Sequence, residues 1–125
     1  MVSREKKILV VDDSNTNVVL LEAVLASKGY GTLKALSVEE AIKILSRETP
    51  GLILLDLLMP KVNGYEFLVN IKRNESTRNI PVIIISAVTD TREIQKSKML
   101  GADDYIEKPV NLDVLLTKIE SRLQN

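Results

Sequence analysis

Five short apolar runs, each rich in isoleucine, leucine or valine, recur along the chain. They are Ile8 to Val11, Thr32 to Leu36, Leu52 to Leu55, Val82 to Ile85, and a weaker run around Tyr105 and Ile106. Runs without alternating polar positions are typical of parallel strands, because such strands are covered on both faces and neither face meets water. Four of these runs predict strands of a buried sheet, and the second fits this description less well.

The segment between the first two apolar runs has apolar residues at helical spacing. Val18, Leu21, Val24 and Leu25 share one face of a predicted first helix, which Gly29 can end by adopting a left-handed conformation. Asp12 or Asp13 could be the N-cap of this helix, but Ser14 or Asn15 could serve equally well.

A second helix is predicted after Ser37, because Ser37 followed by Glu40 forms a capping box. We expect Ala41, Ile42 and Leu45 to face inward from this helix. A third helix is predicted over residues 65–73.

Two further helices follow the same logic. Asp90 with Glu93 repeats the capping pattern at the start of the fourth helix, and Gly101 ends that helix. Asn111 can cap the fifth helix. The apolar side chains of that last helix are Leu112, Leu115, Leu116, Ile119 and Leu123.

Alternation of strand and helix, five times in succession, predicts an α/β fold with right-handed crossovers. Such units build an open parallel sheet with helices on both faces. The length of 125 residues suits a single domain, which we expect to span residues 1–125.

The amino-acid composition excludes several classes of binding and catalysis. The chain has 17 Lys plus Arg and 17 Asp plus Glu, so bulk charge favours binding to neither nucleic acid nor a membrane. It contains no Cys and no His, which excludes thiol and histidine nucleophiles and the usual zinc ligands. Because the sequence has no signal-peptide core and no long apolar stretch, we expect a soluble, cytoplasmic protein.

Polar residues end the predicted strands, and ligands of open α/β sheets bind at the carboxyl ends of strands. Asp12 and Asp13 follow the first strand, Asp56 the third and Ser86 the fourth, while Lys108 follows the fifth. Each residue alone could be an ordinary cap or turn residue. In a parallel sheet, however, all five would converge at one edge.

Three carboxylates at one edge require compensation. At a separation of ~5 Å they would repel one another by roughly 3 kcal/mol per pair at an effective dielectric constant near 20. Oxygen ligands without His or Cys select Mg²⁺, with Mn²⁺ or Ca²⁺ as substitutes, and Mg²⁺ commonly accompanies a phosphate. The sequence has neither G-x-G-x-x-G nor G-x-x-x-x-G-K-[ST], which disfavours a bound nucleotide. Asp56 is therefore the best candidate for a carboxylate that becomes phosphorylated itself.

This constellation resembles the response-regulator receiver domain of two-component signalling. The motifs that carry the resemblance are Asp12 with Asp13, Asp56 followed by Met59, Pro60 and Gly64, Ser86 with Ala87, and Lys108 with Pro109. The resemblance implies a flavodoxin-like (CheY-like) three-layer sandwich, with a five-stranded parallel sheet in the order 2-1-3-4-5 and five helices. The stretch from Val11 to Asn17 is also similar to receivers of phosphorelays.

The resemblance also assigns roles to the site residues. Asp56 would accept a phosphoryl group from a phosphohistidine of a histidine kinase or phosphotransfer protein. Asp13 and Asp56 would ligate Mg²⁺ together with the main-chain carbonyl of Leu58, and Asp12 would act mainly through water. Lys108 would pair with the phosphoryl group. The domain would catalyse its own phosphorylation and dephosphorylation without acting as an enzyme on other substrates.

Switching is the last implied property. Ser86 stands where the family has a hydroxyl that moves toward the phosphate, and Tyr105 where an aromatic side chain turns inward. The family usually holds the bond between Lys108 and Pro109 in cis. The surface of the fourth helix, fifth strand and fifth helix would contact a downstream effector or a second copy in a homodimer.

Two alternatives remain at this point. One is a receiver-like interaction domain that is not phosphorylated, and the other is a small flavodoxin-like cofactor binder or phosphatase. The resemblance also implies that the positions of Leu58 and Val88 influence how long the phosphate lasts. Both residues are apolar here and cannot orient an attacking water, so we expect slow self-dephosphorylation if the chain is a phosphoacceptor.

Overall fold

The computed structural model describes residues 7–57, 64–87 and 90–123, in which five strands alternate with five helices. They are β1 (Lys7–Val11), α1 (Asn15–Ala26), β2 (Gly31–Ala35), α2 (Val38–Leu45), β3 (Leu52–Asp56), α3 (Gly64–Arg73), β4 (Val82–Ser86), α4 (Thr91–Met99), β5 (Asp104–Glu107) and α5 (Leu112–Leu123). The predicted alternation is confirmed. No helix in these residues has the length and apolar character needed to cross a bilayer.

All five strands belong to one parallel sheet in the order β2-β1-β3-β4-β5. Asp56 is level with Ile85 of β4, and Ser86 is level with Glu107 of β5. The order and the five helices confirm the flavodoxin-like fold. Because the strands are parallel, their carboxyl ends lie at one edge of the sheet.

Apolar side chains on the two faces of the sheet form two core layers. Phe67 and Leu68 of α3 pack in the layer that also holds the buried side chains of α2. Leu25 of α1 and Leu115 of α5 lie in the layer on the other face. Strands β3 and β4 are buried throughout, as their uninterrupted apolar runs predict, whereas β2 at the sheet edge is mostly half-buried.

The inward face of α2 differs from the prediction at one position. Ala41 is buried and Leu45 packs against the core, but Ile42 is 52% exposed and Ile44 is buried in its place. Successive helical residues are rotated by about 100°, so Ile42 lies well outside a stripe centred on Ala41, whereas Ile44 and Leu45 flank that stripe.

Capping largely follows the sequence pattern. Ser14 is the N-cap of α1 and accepts a hydrogen bond from the N–H of Asn17, while Ser37 caps α2 in the same way. Gly29 after α1 and Gly101 after α4 have φ angles of 86° and 114°, the left-handed region that favours glycine. Asn111 Oδ1 accepts from the N–H of Val114 and caps α5.

Helix α4 shows a second difference. Asp90 caps it, as predicted, by accepting from the N–H of Arg92 at 2.8 Å. Glu93 does not complete a capping box, because its carboxylate accepts a hydrogen bond from Tyr65 of α3. A tertiary partner has replaced the local one.

Candidate functional site

Three aspartates meet at the carboxyl edge of the sheet. Asp12 follows β1 and Asp56 ends β3, and both are buried, whereas Asp13 is exposed. Each of the three offers a carboxylate oxygen within 4.8 Å of the others. Among the residues that the structure describes, this is the one cluster of three potential metal-ligating side chains. The carboxylates expected to converge do lie together.

The start of α1 positions Asp12. The N–H of Ser14 donates to Asp12 Oδ1 at 2.9 Å, and Asn17 Nδ2 donates to Asp12 Oδ2 at 3.4 Å. Burial raises the pKa of Asp12 above its ordinary value, the Ser14 N–H opposes this, and the charge of Asp56 raises it further. The carboxylate of Asp12 therefore lies where an additional cation would stabilise it.

Asn17 is a site residue that the sequence argument missed. It lies within the first turn of α1, from which its amide returns toward Asp12. The signal that could have identified it is its position three residues after the Ser14 cap, since side chains one turn apart share a helix face.

Lys108 supplies the positive charge of the site. Its Nζ lies 3.1 Å from Asp56 Oδ2 and 3.9 Å from Asp12 Oδ2. The main-chain N–H of Lys108 donates to the carbonyl oxygen of Ser86 at 2.9 Å, which holds the end of β5 against the end of β4. The peptide bond between Lys108 and Pro109 is cis, as the resemblance led us to expect.

Of the two expected switch residues, Ser86 lies at the carboxyl end of the sheet, whereas Tyr105 is level with Ile84 in the middle of β4. Ser86 is fully buried at the end of β4. Tyr105 of β5 is half-buried and packs against the core layer formed by α2 and α3. Leu58 and Val88, to which a metal ligand and an effect on phosphate lifetime were assigned, lie outside the described residues.

The donor set fits a hard divalent cation. Every potential ligand in the cluster is a carboxylate, which suits Mg²⁺, Mn²⁺ or Ca²⁺ rather than a metal that prefers nitrogen or sulfur. One ammonium group faces two buried carboxylates, so negative charge at the site exceeds what Lys108 alone can balance. The excess charge is consistent with a cation bound beside Asp13.

Comparisons with known proteins agree with this geometry. The model of the response regulator receiver domain family matches residues 8–120. The receiver domain of a signal transduction histidine kinase from Syntrophus aciditrophicus is 36% identical, with a TM-score of 0.87 over 95% of this chain and 90% of that one. Protein PilH of Pseudomonas aeruginosa is 34% identical over 94% of this chain and 97% of its own length.

Fold and site together define a CheY-like α/β protein with an acidic pocket at the carboxyl edge of its sheet. The chain belongs to the response regulator receiver domain family of two-component signalling. Receiver domains bind Mg²⁺ at such a pocket and interact with histidine kinases or phosphotransfer proteins. The chain spans 49% of a relative named "Probable transcriptional regulator ycf27" from Porphyridium aerugineum and about a quarter of other relatives.

Proposed function

We propose that this domain is a phosphoacceptor in which Asp56 receives a phosphoryl group from a phosphohistidine. The observation that supports this most directly is the pairing of a buried Asp56 with Lys108 Nζ at 3.1 Å, beside two further carboxylates. A buried carboxylate is costly unless it is paired, and this one faces the edge where ligands of α/β sheets bind.

The reaction is a nucleophilic substitution at phosphorus. A carboxylate oxygen of Asp56 forms a new P–O bond while the P–N bond of the donor breaks, and an acyl phosphate results. The imidazole of the donor keeps the electron pair of the broken bond and takes a proton from solvent. Lys108 balances charge on the phosphoryl oxygens, and the hydroxyl of Ser86 donates a hydrogen bond to one of these oxygens.

Asp13 and Asp56, with the main-chain carbonyl of Leu58, are the groups that we assign to a bound Mg²⁺, and Asp12 acts mainly through water. When bound, the cation supplies charge neutralisation between the carboxylates and the incoming phosphate. The carboxylate cluster supports this assignment. Asn17 positions Asp12 by donating to its second oxygen.

The partners follow from the chemistry. The donor is a histidine kinase or a histidine phosphotransfer protein, and we place this exchange in the cytoplasm. Movement of Ser86 toward the phosphate would let Tyr105 turn inward and change the surface of α4, β5 and α5, where an effector or a second copy binds. We also propose that residues 1–125 form one receiver domain, which the family match over residues 8–120 supports.

The alternative of an unphosphorylated receiver-like interaction domain is not favoured. Domains of that kind are expected to lack an acidic position or the lysine. Here Asp12, Asp13, Asp56 and Lys108 are all present. Outside autophosphorylation and dephosphorylation, we assign the domain no enzymatic activity.

Incubation of the chain with acetyl phosphate and Mg²⁺, followed by intact mass spectrometry, tests the proposal. We expect a gain of one phosphoryl group that Asp56→Ala abolishes. Asp113→Asn is the matched control, because Asp113 is an exposed carboxylate on α5, and this variant should be phosphorylated normally. Phosphorylation of Asp56→Ala to the same extent as the original chain would exclude Asp56 as the acceptor.

A further inference from the structure

Helix α4 contributes no buried apolar side chain to the core, although Leu100 at its C-cap packs against the layer of α2 and α3. Of its nine residues, Ser97 is the buried one, and the Ser97 hydroxyl donates to the carbonyl of Ile94 within the same helix. Surface helices are normally held by an apolar stripe that faces the core. The position of α4 therefore depends strongly on the polar contacts that it makes.

Tyr65, in the first turn of α3, provides two such contacts. Its phenolic oxygen donates to Glu93 Oε1 at 2.6 Å, and Lys96 Nζ lies 4.4 Å from the centroid of its ring. Glu93 and Lys96 are three residues apart, so they share one face of α4. Tyr65 thus holds both an acidic and a basic side chain of the neighbouring helix.

The hydroxyl of Tyr65 is suited to remain a donor. Burial raises its pKa well above the ordinary value for tyrosine, and the hydrogen bond to Glu93 raises it further. The phenol is therefore protonated throughout the neutral range, and the contact with Glu93 persists there.

Tyr65 is also close along the backbone to the phosphoacceptor. It follows Gly64, whose main chain packs so tightly on Leu57 that a Cβ atom at Gly64 would lie 2.9 Å from the Leu57 Cα. Leu57 directly follows Asp56. A short series of direct contacts thus leads from Asp56 through Leu57 and Gly64 to Tyr65.

We propose that Tyr65 is a positioning residue that fastens α4 to α3 through Glu93 and Lys96, and that it couples the position of α4 to the state of Asp56. The contacts that carry this coupling run through Leu57 and Gly64, whereas the expected switch involves Ser86 and Tyr105. In the unphosphorylated domain, Tyr65 holds α4 in the position described above. The part of the inference that concerns coupling rests on the proposed phosphorylation of Asp56, whereas the fastening of α4 does not.

Amide hydrogen exchange over α4, measured by mass spectrometry on the full chain, tests both parts. Tyr65→Phe keeps the ring beneath Lys96 and removes only the donor to Glu93. In the unphosphorylated protein we expect exchange in α4 to become about two- to tenfold faster, which corresponds to the loss of one hydrogen bond. Glu93→Ala should have the same effect, and the double variant should exchange no faster than either single variant.

Tyr30→Phe is the matched control, because Tyr30 is a half-buried tyrosine that packs in the layer formed by α1 and α5. It should leave exchange in α4 unchanged. Unaltered exchange in Tyr65→Phe, or additive effects in the double variant, would overturn the fastening role of Tyr65.

Phosphorylation supplies the second measurement. After treatment with acetyl phosphate and Mg²⁺, Tyr65→Phe should still gain the phosphoryl mass, but the change in α4 exchange on phosphorylation should be smaller than in the original chain. An equal change in both proteins would overturn the coupling. If the original chain gains no phosphoryl mass, the proposed function fails and the coupling fails with it, while the unphosphorylated comparison still decides whether Tyr65 fastens α4.

Discussion

Lys108 Nζ lies 3.1 Å from Asp56 Oδ2, so an ion pair joins two residues that are 52 positions apart in the sequence. The Lys108 side chain is 29% exposed and that of Asp56 only 6%, so water screens this pair less than it screens surface pairs. The pair therefore contributes to folding as well as to the proposed chemistry.

Lys108→Ala should destabilise the domain in the absence of divalent cations. It leaves Asp56 buried beside Asp12 without the ammonium group, and loss of such a charged hydrogen bond costs about 1–3 kcal/mol. Urea unfolding in EDTA measures the effect. Lys34→Ala breaks an exposed pair with Glu22 and should cost less than about 1 kcal/mol. Equal unfolding midpoints for the two variants would contradict the role of Lys108.

Millimolar Mg²⁺ should raise the melting temperature by several degrees. The cation binds because it offsets repulsion between the carboxylates. A free Mg²⁺ concentration ten times its dissociation constant stabilises the native state by about 1.4 kcal/mol, which corresponds to several degrees. Asp13→Ala should remove most of this response, whereas Asp113→Ala should retain it, since both residues are exposed but only Asp13 belongs to the cluster. Differential scanning fluorimetry with and without Mg²⁺ is sufficient. A melting curve that Mg²⁺ leaves unchanged would argue against the cation site.

Asp104 predicts a pH dependence of stability. Burial alone would raise its pKa, but the hydrogen bond from Lys118 at 2.7 Å, the N–H of Tyr105 and the charge of Arg122 together lower it below 3.8. A lowered native pKa stabilises the fold above the unfolded pKa, and this contribution is lost as pH falls through the native pKa.

Asp104→Asn should therefore reduce the free energy of unfolding at pH 7 by about 1 kcal/mol. The difference from the original chain should shrink below about pH 4, where the unfolded carboxylate becomes protonated. Urea unfolding at pH 7 and again below about pH 4 measures this difference. Asp113→Asn should show a much smaller difference at either pH, and a constant deficit for Asp104→Asn would contradict the assigned ion pair.

The lifetime of the phosphoryl group is a further prediction, based on sequence. Leu58 and Val88 cannot orient a water molecule for attack on phosphorus, so loss of phosphate should be slow. Replacing Val88 by Glu, or Leu58 by Asn, should accelerate the loss by on the order of tenfold to a hundredfold. Release of radiolabelled phosphate from the isolated, Mg²⁺-bound domain reports the rate. A half-life of seconds for the original chain would exclude this explanation.

Much of the fold and of the acidic cluster was accessible from sequence because both depend on strand ends. Once β1 and β3 are parallel, Asp12 and Asp56 must lie at the same edge, whatever the details of packing. No comparable rule predicts the hydrogen bond from Tyr65 to Glu93. It depends on how two helices lie side by side, and Glu93 had a plausible local partner in the capping pattern. The face of α2 was misassigned at Ile42 although helical geometry alone would have placed Ile44 inward.

Gly64→Ala should destabilise the domain, contrary to the usual effect of this substitution in a helix. Alanine normally stabilises a helix by roughly 0.5–1 kcal/mol relative to glycine. At Gly64 the added Cβ would lie 2.9 Å from Cα and 3.1 Å from the carbonyl oxygen of Leu57, and backbone atoms cannot move aside cheaply. We expect a net cost of about 1–3 kcal/mol in urea unfolding.

The matched control is Gly31→Ala, where the nearest atom is Cγ of the flexible Lys7 side chain at 3.2 Å. This variant should change stability by less than about 0.5 kcal/mol. Because Leu57 adjoins Asp56, Gly64→Ala should also slow phosphorylation by acetyl phosphate, and Gly31→Ala should not. If the two variants proved equally stable and were phosphorylated at equal rates, α3 would not pack on the Leu57 main chain as described, and the contact series from Asp56 to Tyr65 would be broken between Leu57 and Gly64.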